Sequence, residues 1–264
     1  MKRFAFINQK GGVGKTTLAV NLGRALSLLD KKVLIVDFDP QANASSALGI
    51  KVEKKESIYQ ALIEENCEKF IKKIYENLYL LPSSIDLVGL EVELLKLSKR
   101  ERVLKEFLDN AKIQNTYLEE FFDFIFIDSP PSLSIISVNI LVASEGVIIP
   151  LQCEYFALEG LSLLVRTIRR IKKSFNPELK LFGMVLTMYD SRNRLSHEIA
   201  EEAKKYFPWL LFKTIIPRSI KVSEATSYGK PIIDYAKNHK VSQAFLSLAK
   251  EFLERCEVNL GIEK

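Results

Sequence analysis

Asn8-Gln9-Lys10-Gly11-Gly12-Val13-Gly14-Lys15-Thr16-Thr17 is a run whose residue types suit the binding of a phosphate. Glycines reach backbone angles that turn successive N–H groups inward, which makes a concave anion nest. A helix opening at Lys15 would add the partial positive charge of its N-terminus. Lys15 can then reach the β- and γ-phosphates of a nucleotide, and the Thr16 hydroxyl can ligate Mg²⁺. The strict phosphate-loop pattern puts Gly where Gln9 stands, so GGxGK[ST] carries the reading. The competing reading is a glycine turn with an incidental lysine. Lys10, five residues before Lys15, would lie on the open side of the nest. It could serve a nucleotide held by a second subunit, or be a solvated charge at the loop tip.

Such a site also needs carboxylates at strand ends, and two groups qualify. Asp37 and Asp39 occur in VDFDPQANASSALG, and Asp128 closes the apolar run FDFIFID before Ser129-Pro130-Pro131. An acid after such a run sits at the carboxyl edge of a parallel sheet, where open α/β folds bind ligands. Asp128 can hold Mg²⁺ directly or through water, and Asp39, in a loop with Pro40, Gln41 and Asn43, can position an attacking water. Capping or turn roles are the alternatives for both.

The elements that must position these residues follow from hydropathy. Apolar runs at Arg3–Asn8, Lys31–Asp37, Asn77–Leu81, Phe122–Asp128, Gly146–Leu151, Leu179–Thr187 and Leu211–Ile216 read as strands. Helical periodicity covers Lys15–Leu29, Ile85–Leu97, Arg100–Ala111, Ser134–Ala143, Phe156–Lys173, Leu195–Tyr206 and Val241–Cys256. The alternation predicts an α/β fold: a doubly wound, mostly parallel sheet flanked by helices. No Pro/Gly-rich linker or internal repeat divides the chain, so one domain over residues 1–264 is expected. Ile50–Lys73 is the least periodic stretch, and short helices or a mobile insert are expected there.

Composition excludes other classes. The 264 residues are 47% hydrophobic and 27% charged, ordinary for a globular protein. Three scattered cysteines, Cys67, Cys153 and Cys256, fit reduced thiols in the cytoplasm and not a disulfide or zinc framework. No run of about 18 apolar residues is long enough to span a membrane, and the N-terminus lacks a signal-peptide layout. The net charge is +5, yet Val165–Lys240 alone holds 16 Lys/Arg against 7 Asp/Glu. That surplus suits a face for a polyanion, or simply solvated helix faces.

KGGVGKTT, VDFDPQANASS, FDFIFIDSPPS, IPLQCEYFALEGL and IPRSIKVSEATSYGKPI, in this order, resemble the ParA/Soj chromosome- and plasmid-partitioning ATPases. These belong, with MinD, to the deviant Walker A group of P-loop NTPases. The resemblance covers nearly the whole chain and is weakest over residues 50–118. It implies an ATP- and Mg²⁺-dependent sandwich homodimer. In that dimer Lys10 is the lysine that crosses to the partner's nucleotide, Lys15 binds phosphate, Thr16 ligates Mg²⁺ and Thr17 contacts the α-phosphate. Gly12 lies where the two loops meet. Asp39 serves hydrolysis and Asp128 is the Walker B acid, so Gly11 to Thr17 with Asp39 and Asp128 enclose nucleotide and metal. Glu154 pairs with Lys10, and Thr187, Met188, Pro217 and Arg218 fall at the adenine pocket. The resemblance further implies ATP-gated, non-specific binding of double-stranded DNA through Arg192 and Lys221, with Lys230 extending the patch. A ParB-like partner would stimulate hydrolysis, and the protein would be nucleoid-associated. Ser219 and Thr226 stand where relatives often have Asn and Pro.

Two related roles share the fold. A MinD-type, membrane-recruited ATPase is disfavoured because Phe245, Leu248, Phe252 and Leu253 make a core-docking stripe, and the tail after Cys256 carries two acids and one lysine. A cargo-positioning ATPase would use the same dimer on DNA, and only its partner would differ. No helix-turn-helix extension precedes the first strand, so sequence-specific repression is not expected.

Overall fold

The computed structural model describes residues 2–52, 55–154 and 157–261. The chain begins with β1 (Arg3–Phe6), α1 (Lys15–Ser27), β2 (Val33–Asp37), α2 (Asn43–Ala47), α3 (Ile58–Glu64), β3 (Lys72–Tyr75) and β4 (Leu78–Leu81). It continues through α4 (Leu87–Leu94), α5 (Val103–Asn110), β5 (Lys112–Ile113), β6 (Thr116–Tyr117), α6 (Leu118–Phe121), β7 (Phe124–Asp128) and α7 (Ile135–Ala143). The last part comprises β8 (Gly146–Gln152), α8 (Ala157–Ser174), β9 (Lys180–Thr187), α9 (Arg194–Tyr206), α10 (Ile220–Ser227), α11 (Ile232–Tyr235) and α12 (Lys240–Gly261).

Seven strands form one sheet in the order β3-β4-β2-β7-β1-β8-β9. All pairings are parallel except β3 with β4. Every residue of β1, β2 and β7 is buried, because helices cover both faces of the sheet. Alternate residues therefore serve opposite cores. Phe4, Phe6, Val33 and Ile35 face α1 and α12, where Phe252 packs 5.0 Å from the Phe4 ring centroid. Ala5, Leu34 and Val36 face the other layer, with Ile58, Leu90, Leu104 and Ile140. A third cluster seats α8 and α9 on β8 and β9.

The strand order puts the carboxyl ends of β1, β2 and β7 side by side. Asp128 is in register with Phe6 on one side and with Asp37 on the other. The chain leaves β1 for a distant β2 on one side, while β8 lies next to β1 on the other. This switch in direction opens a crevice above the strand ends.

The expected α/β architecture is present, and several local expectations differ. Leu211–Ile216 is not a strand. Isolated bridges flank it, one from Leu211 to Met184 of β9 and one just past both segments, Tyr189 with Pro217. Between them the Lys213 and Thr214 amides turn to the Glu251 carboxylate of α12, at 2.7 and 2.9 Å, which satisfies them away from the ladder. The 50–73 region contributes α3, and Ile58, Ala61, Cys67 and Phe70 are built into the second core. β3 was not foreseen because KKIY lacks an apolar face. It is a partly exposed edge strand returning through Asn77, whose φ is +60°. The β5–β6 pair and α11 were also not foreseen, being too short to show a period, nor was α10, whose run IKVSEATS buries only Ala225. The expected helix from Phe156 begins at Ala157, Phe156 itself lying outside the described residues.

Candidate active site

The loop between β1 and α1 is pinned by the chain's own hydrogen bonds. Asn8 donates through Nδ2 to the Pro150 carbonyl (2.8 Å) and accepts the Lys10 amide (3.1 Å). Thr187, at the end of β9, donates its hydroxyl to the Val13 carbonyl at 2.8 Å. Gly12 and Gly14 have φ of +74° and +90°, a region that L side chains rarely occupy. Gly14 occupies the N-cap of α1, and the helix has neither a side-chain cap nor an acid in its first turn. Its first N–H groups are therefore open to an anion, with the helix dipole behind them. Lys15, 7% exposed, folds back so that Nζ donates to the Lys10 carbonyl (3.1 Å). Burial pulls its pKa below the usual lysine value, against the opposing charges of Asp128 and Asp39.

Opposite the loop lie three buried carboxylates. Thr16 Oγ1 donates to Asp128 Oδ2 at 2.6 Å, whereas Asp128 Oδ1 is buried without a hydrogen-bond partner among the described residues. Burial raises the Asp128 pKa well above the carboxylate range, and the Asp37 charge adds to this. Asp37 is pushed up to about 6, also chiefly by burial, although hydrogen bonds from Ser45 and Asp39 oppose the shift. A hydroxyl and an unpaired carboxylate oxygen are hard donors of the kind magnesium takes, and a dication would relieve the crowding of negative charge. The residues thus fit Mg²⁺, which Thr16 and Asp128 would hold. Asp39 lies in the turn after β2, its Oδ1 accepting the Gln41 amide at 2.9 Å. Ala42, with φ of +51°, completes that turn.

A cleft of about 570 Å³ runs along these residues. Gly11, Gly12, Gly14, Lys15, Thr16 and Thr17 form one wall. Asp39 lines it further on, and Thr187, Met188, Pro217 and Arg218 close it at the end expected for a base. Val13 turns its side chain into the core, 2% exposed, and takes part only through its backbone. Lys230, exposed and expected on a DNA face, also lines this cleft, because the turn after α10 folds over α2. Asn43 and Ser46 of α2, Asn21 of α1 and Phe245 of α12 also line it and were not foreseen. For the α2 pair the signal was the polar run after Asp39. For Asn21 and Phe245 the helical pattern alone carried none.

Lys10 and Glu154 lie on the loop's outer side, each about half exposed, and form an ion pair within the chain. Gln152 steadies the other Glu154 oxygen. Arg192 and Lys221 lie away from the cleft, each already bound to a neighbour. Arg192, 89% exposed in its side chain, is forked onto Asp190 at 3.0 and 2.8 Å. This holds the Asp190 carboxyl far below its usual range. Lys221 pairs with Glu224 at 2.7 Å. Arg192, Arg218 and Lys240 line a second groove with Tyr189 and Ile220.

Residues 1–181 match a protein-family model described as an AAA domain. The chain is 47% identical over 253 residues to the sporulation initiation inhibitor protein Soj of Bacillus subtilis, covering 95% of this chain and 97% of that protein. It is 42% identical over 258 residues to the chromosome partitioning protein ParA of Caulobacter vibrioides, covering 97% and 95%. Among solved structures, cobyrinic acid a,c-diamide synthase from Mycobacterium smegmatis with bound ADP and magnesium superposes with a TM-score of 0.82 at 32% identity, covering 97% of this chain and 96% of that one.

Proposed function

The chain belongs to the Soj/ParA family of chromosome-partitioning ATPases, and from that premise we propose that it moves DNA as an ATP-gated dimer. It is an ATPase that uses ATP and Mg²⁺. The observation that carries the reading is the uncapped N-terminus of α1, whose Lys15 and Thr16 line the cleft, with Thr16 bonded to the buried Asp128, whose other oxygen has no partner among the described residues.

ATP binding would draw the Lys15 ammonium from the Lys10 carbonyl to the β- and γ-phosphates, where its charge is worth more than in its present polar contact. Bound Mg²⁺, held by Thr16 and Asp128, would offset charge developing on the phosphate oxygens. Asp39 orients the attacking water through the oxygen not engaged in its turn. Lys10 leaves Glu154 and crosses to the nucleotide of a second copy, and Gly12 allows the two loops to meet. The dimer presents Arg192 and Lys221 twice, so non-specific contacts to DNA phosphates gain by avidity. Arg218 and Lys240 extend this face, while Lys230 serves the nucleotide. Hydrolysis, hastened by a ParB-like partner, releases the dimer from DNA. No described helix is long and apolar enough to cross a membrane, and a nucleoid-associated, cytoplasmic role is the one proposed.

Two measurements test this. Lys15→Ala should lose nucleotide binding by at least 100-fold in a fluorescent-ATP titration, and wild-type affinity would refute the site. A DNA mobility shift should appear with ATP and vanish with ADP. Equal retention in both states, or an ATP-loaded protein that stays monomeric in light scattering, would overturn the gating.

A further inference from the structure

The turn that carries Asp39 is held at both ends by one buried carboxylate. Asp37, the last residue of β2, is fully buried. Its Oδ1 accepts the Asp39 amide at 3.3 Å, where the turn begins. Its Oδ2 accepts both the amide and the hydroxyl of Ser45, at 2.8 and 2.7 Å, on α2 just after the turn ends. The Ser45 hydroxyl accepts in its turn the Ser83 amide at 3.1 Å, from the segment leaving β4. Ser45 and Ser83 are fully buried. One hydroxyl thus ties the end of β2, the start of α2 and the exit of β4 into a single node.

The turn itself adds little rigidity. The Gln41 amide on Asp39 Oδ1 and the Ala42 amide on the Asp39 carbonyl are bonds internal to it. Its orientation relative to the phosphate loop is set by the anchors at Asp37. The Asp39 carboxylate must aim an oxygen at a water in line with the γ-phosphate, and errors of about 1 Å in such placement can cost 10²-fold in rate. Nucleotide affinity depends on other groups, the amides of the phosphate loop with Lys15 and Thr16.

From this geometry we infer that Ser45 is a positioning residue for hydrolysis: it fixes where Asp39 points and contributes little to nucleotide binding. The inference deepens the proposed function and rests on the reading of Asp39 as the water-orienting carboxylate. Ser45 does not touch the nucleotide in this scheme, and it acts only through the turn.

The test compares Ser45→Ala, Asp39→Ala and the unmodified chain. Ser45→Ala should lower kcat by about 10- to 100-fold, with affinity for a non-hydrolysable ATP analogue and Mg²⁺ staying within twofold. In the nucleotide-free protein, hydrogen exchange at the Ser83, Gln41 and Ala42 amides should quicken at least tenfold, while α1 stays protected. Unchanged kcat in Ser45→Ala, or analogue affinity falling in step with kcat, would overturn the inference. So would faster exchange spread evenly through α1, which marks general loosening. Should Ser45→Ala fail to fold, Asp37→Asn carries the same expectation, since it turns one accepting oxygen into a donor. Hydrolysis that survives in Asp39→Ala would defeat the reading of Asp39. An inactive Asp39→Ala beside a fully active Ser45→Ala would defeat only the role of Ser45.

Discussion

Gly229→Ala should push α2 away from α10 and slow hydrolysis from a position outside the phosphate loop. Gly229 follows α10 with φ of +62° and lies backbone to backbone against Gly49, which follows α2 with φ of +75°. A Cβ at 229 would fall 2.5 Å from Gly49 Cα and 2.9 Å from Gly49 N. Carbon atoms pack at about 3.5–4.0 Å, so the two turns must part by at least about 1 Å. The left-handed backbone costs an alanine about 1–2 kcal/mol, and overpacking adds about 1–3 kcal/mol. A destabilisation of roughly 2–5 kcal/mol corresponds to a fall in Tm of about 5–15 °C for a chain of this size. Part of the strain will be relieved by moving α2, which lines the cleft with Asn43 and Ser46 and anchors the Asp39 turn. A shift of that size should cut kcat by about 10- to 100-fold. The assay is a melting curve and steady-state phosphate release on the same preparation. Gly160→Ala is the control: nothing lies within 4 Å of its added Cβ in α8, and it should raise stability by about 0.5–1 kcal/mol. A Gly229→Ala protein that melts within 2 °C of the parent and hydrolyses ATP normally would refute the reasoning.

Two further outcomes concern charge. Burial raises Asp37 to about 6, so between about pH 4 and pH 6 the folded chain keeps a proton that the unfolded chain has released. Folded-state stability should therefore fall as pH rises through that window, and Asp128, raised for the same reason, adds to the fall. Asp37→Asn should flatten the nucleotide-free Tm profile between pH 4 and 6.5, and an unaltered slope would show that the buried pair does not titrate there. Asp190→Asn should free Arg192 from its fork and tighten ATP-dependent DNA retention, steepening the plot of log affinity against log salt by up to about 0.9. Weaker retention would mean that Asp190 orients Arg192 for DNA and does not compete with it.

The phosphate chemistry was legible because it is local. Glycines, a lysine and a threonine at fixed spacing after an apolar strand specify a nest and a helix N-terminus whatever surrounds them, and the unbroken apolar run of FDFIFID places Asp128 at a strand end. β3 was illegible for the opposite reason: KKIY is a four-residue edge strand with no buried residue, too short and too polar to display a period. Leu211–Ile216 misled because its apolar residues do enter the core while its amides are satisfied by Glu251 of α12, a partner no local pattern reveals.

The same division separates what each residue is from where it acts. By sequence, Lys230 is a cation that the resemblance adds to a DNA patch, and Ser45 and Gly229 are small residues that display no role of their own. Only folding brought Lys230 to the cleft, Ser45 between Asp37 and Ser83, and Gly229 onto Gly49. Those contacts join segments far apart along the chain, and they exist because the strand order β4-β2-β7-β1 lays the exits of β2 and β4 side by side beneath the turn after α10. A motif is a property of neighbouring residues; a clamp depends on which strands become neighbours, and the energy of the whole sheet settles that.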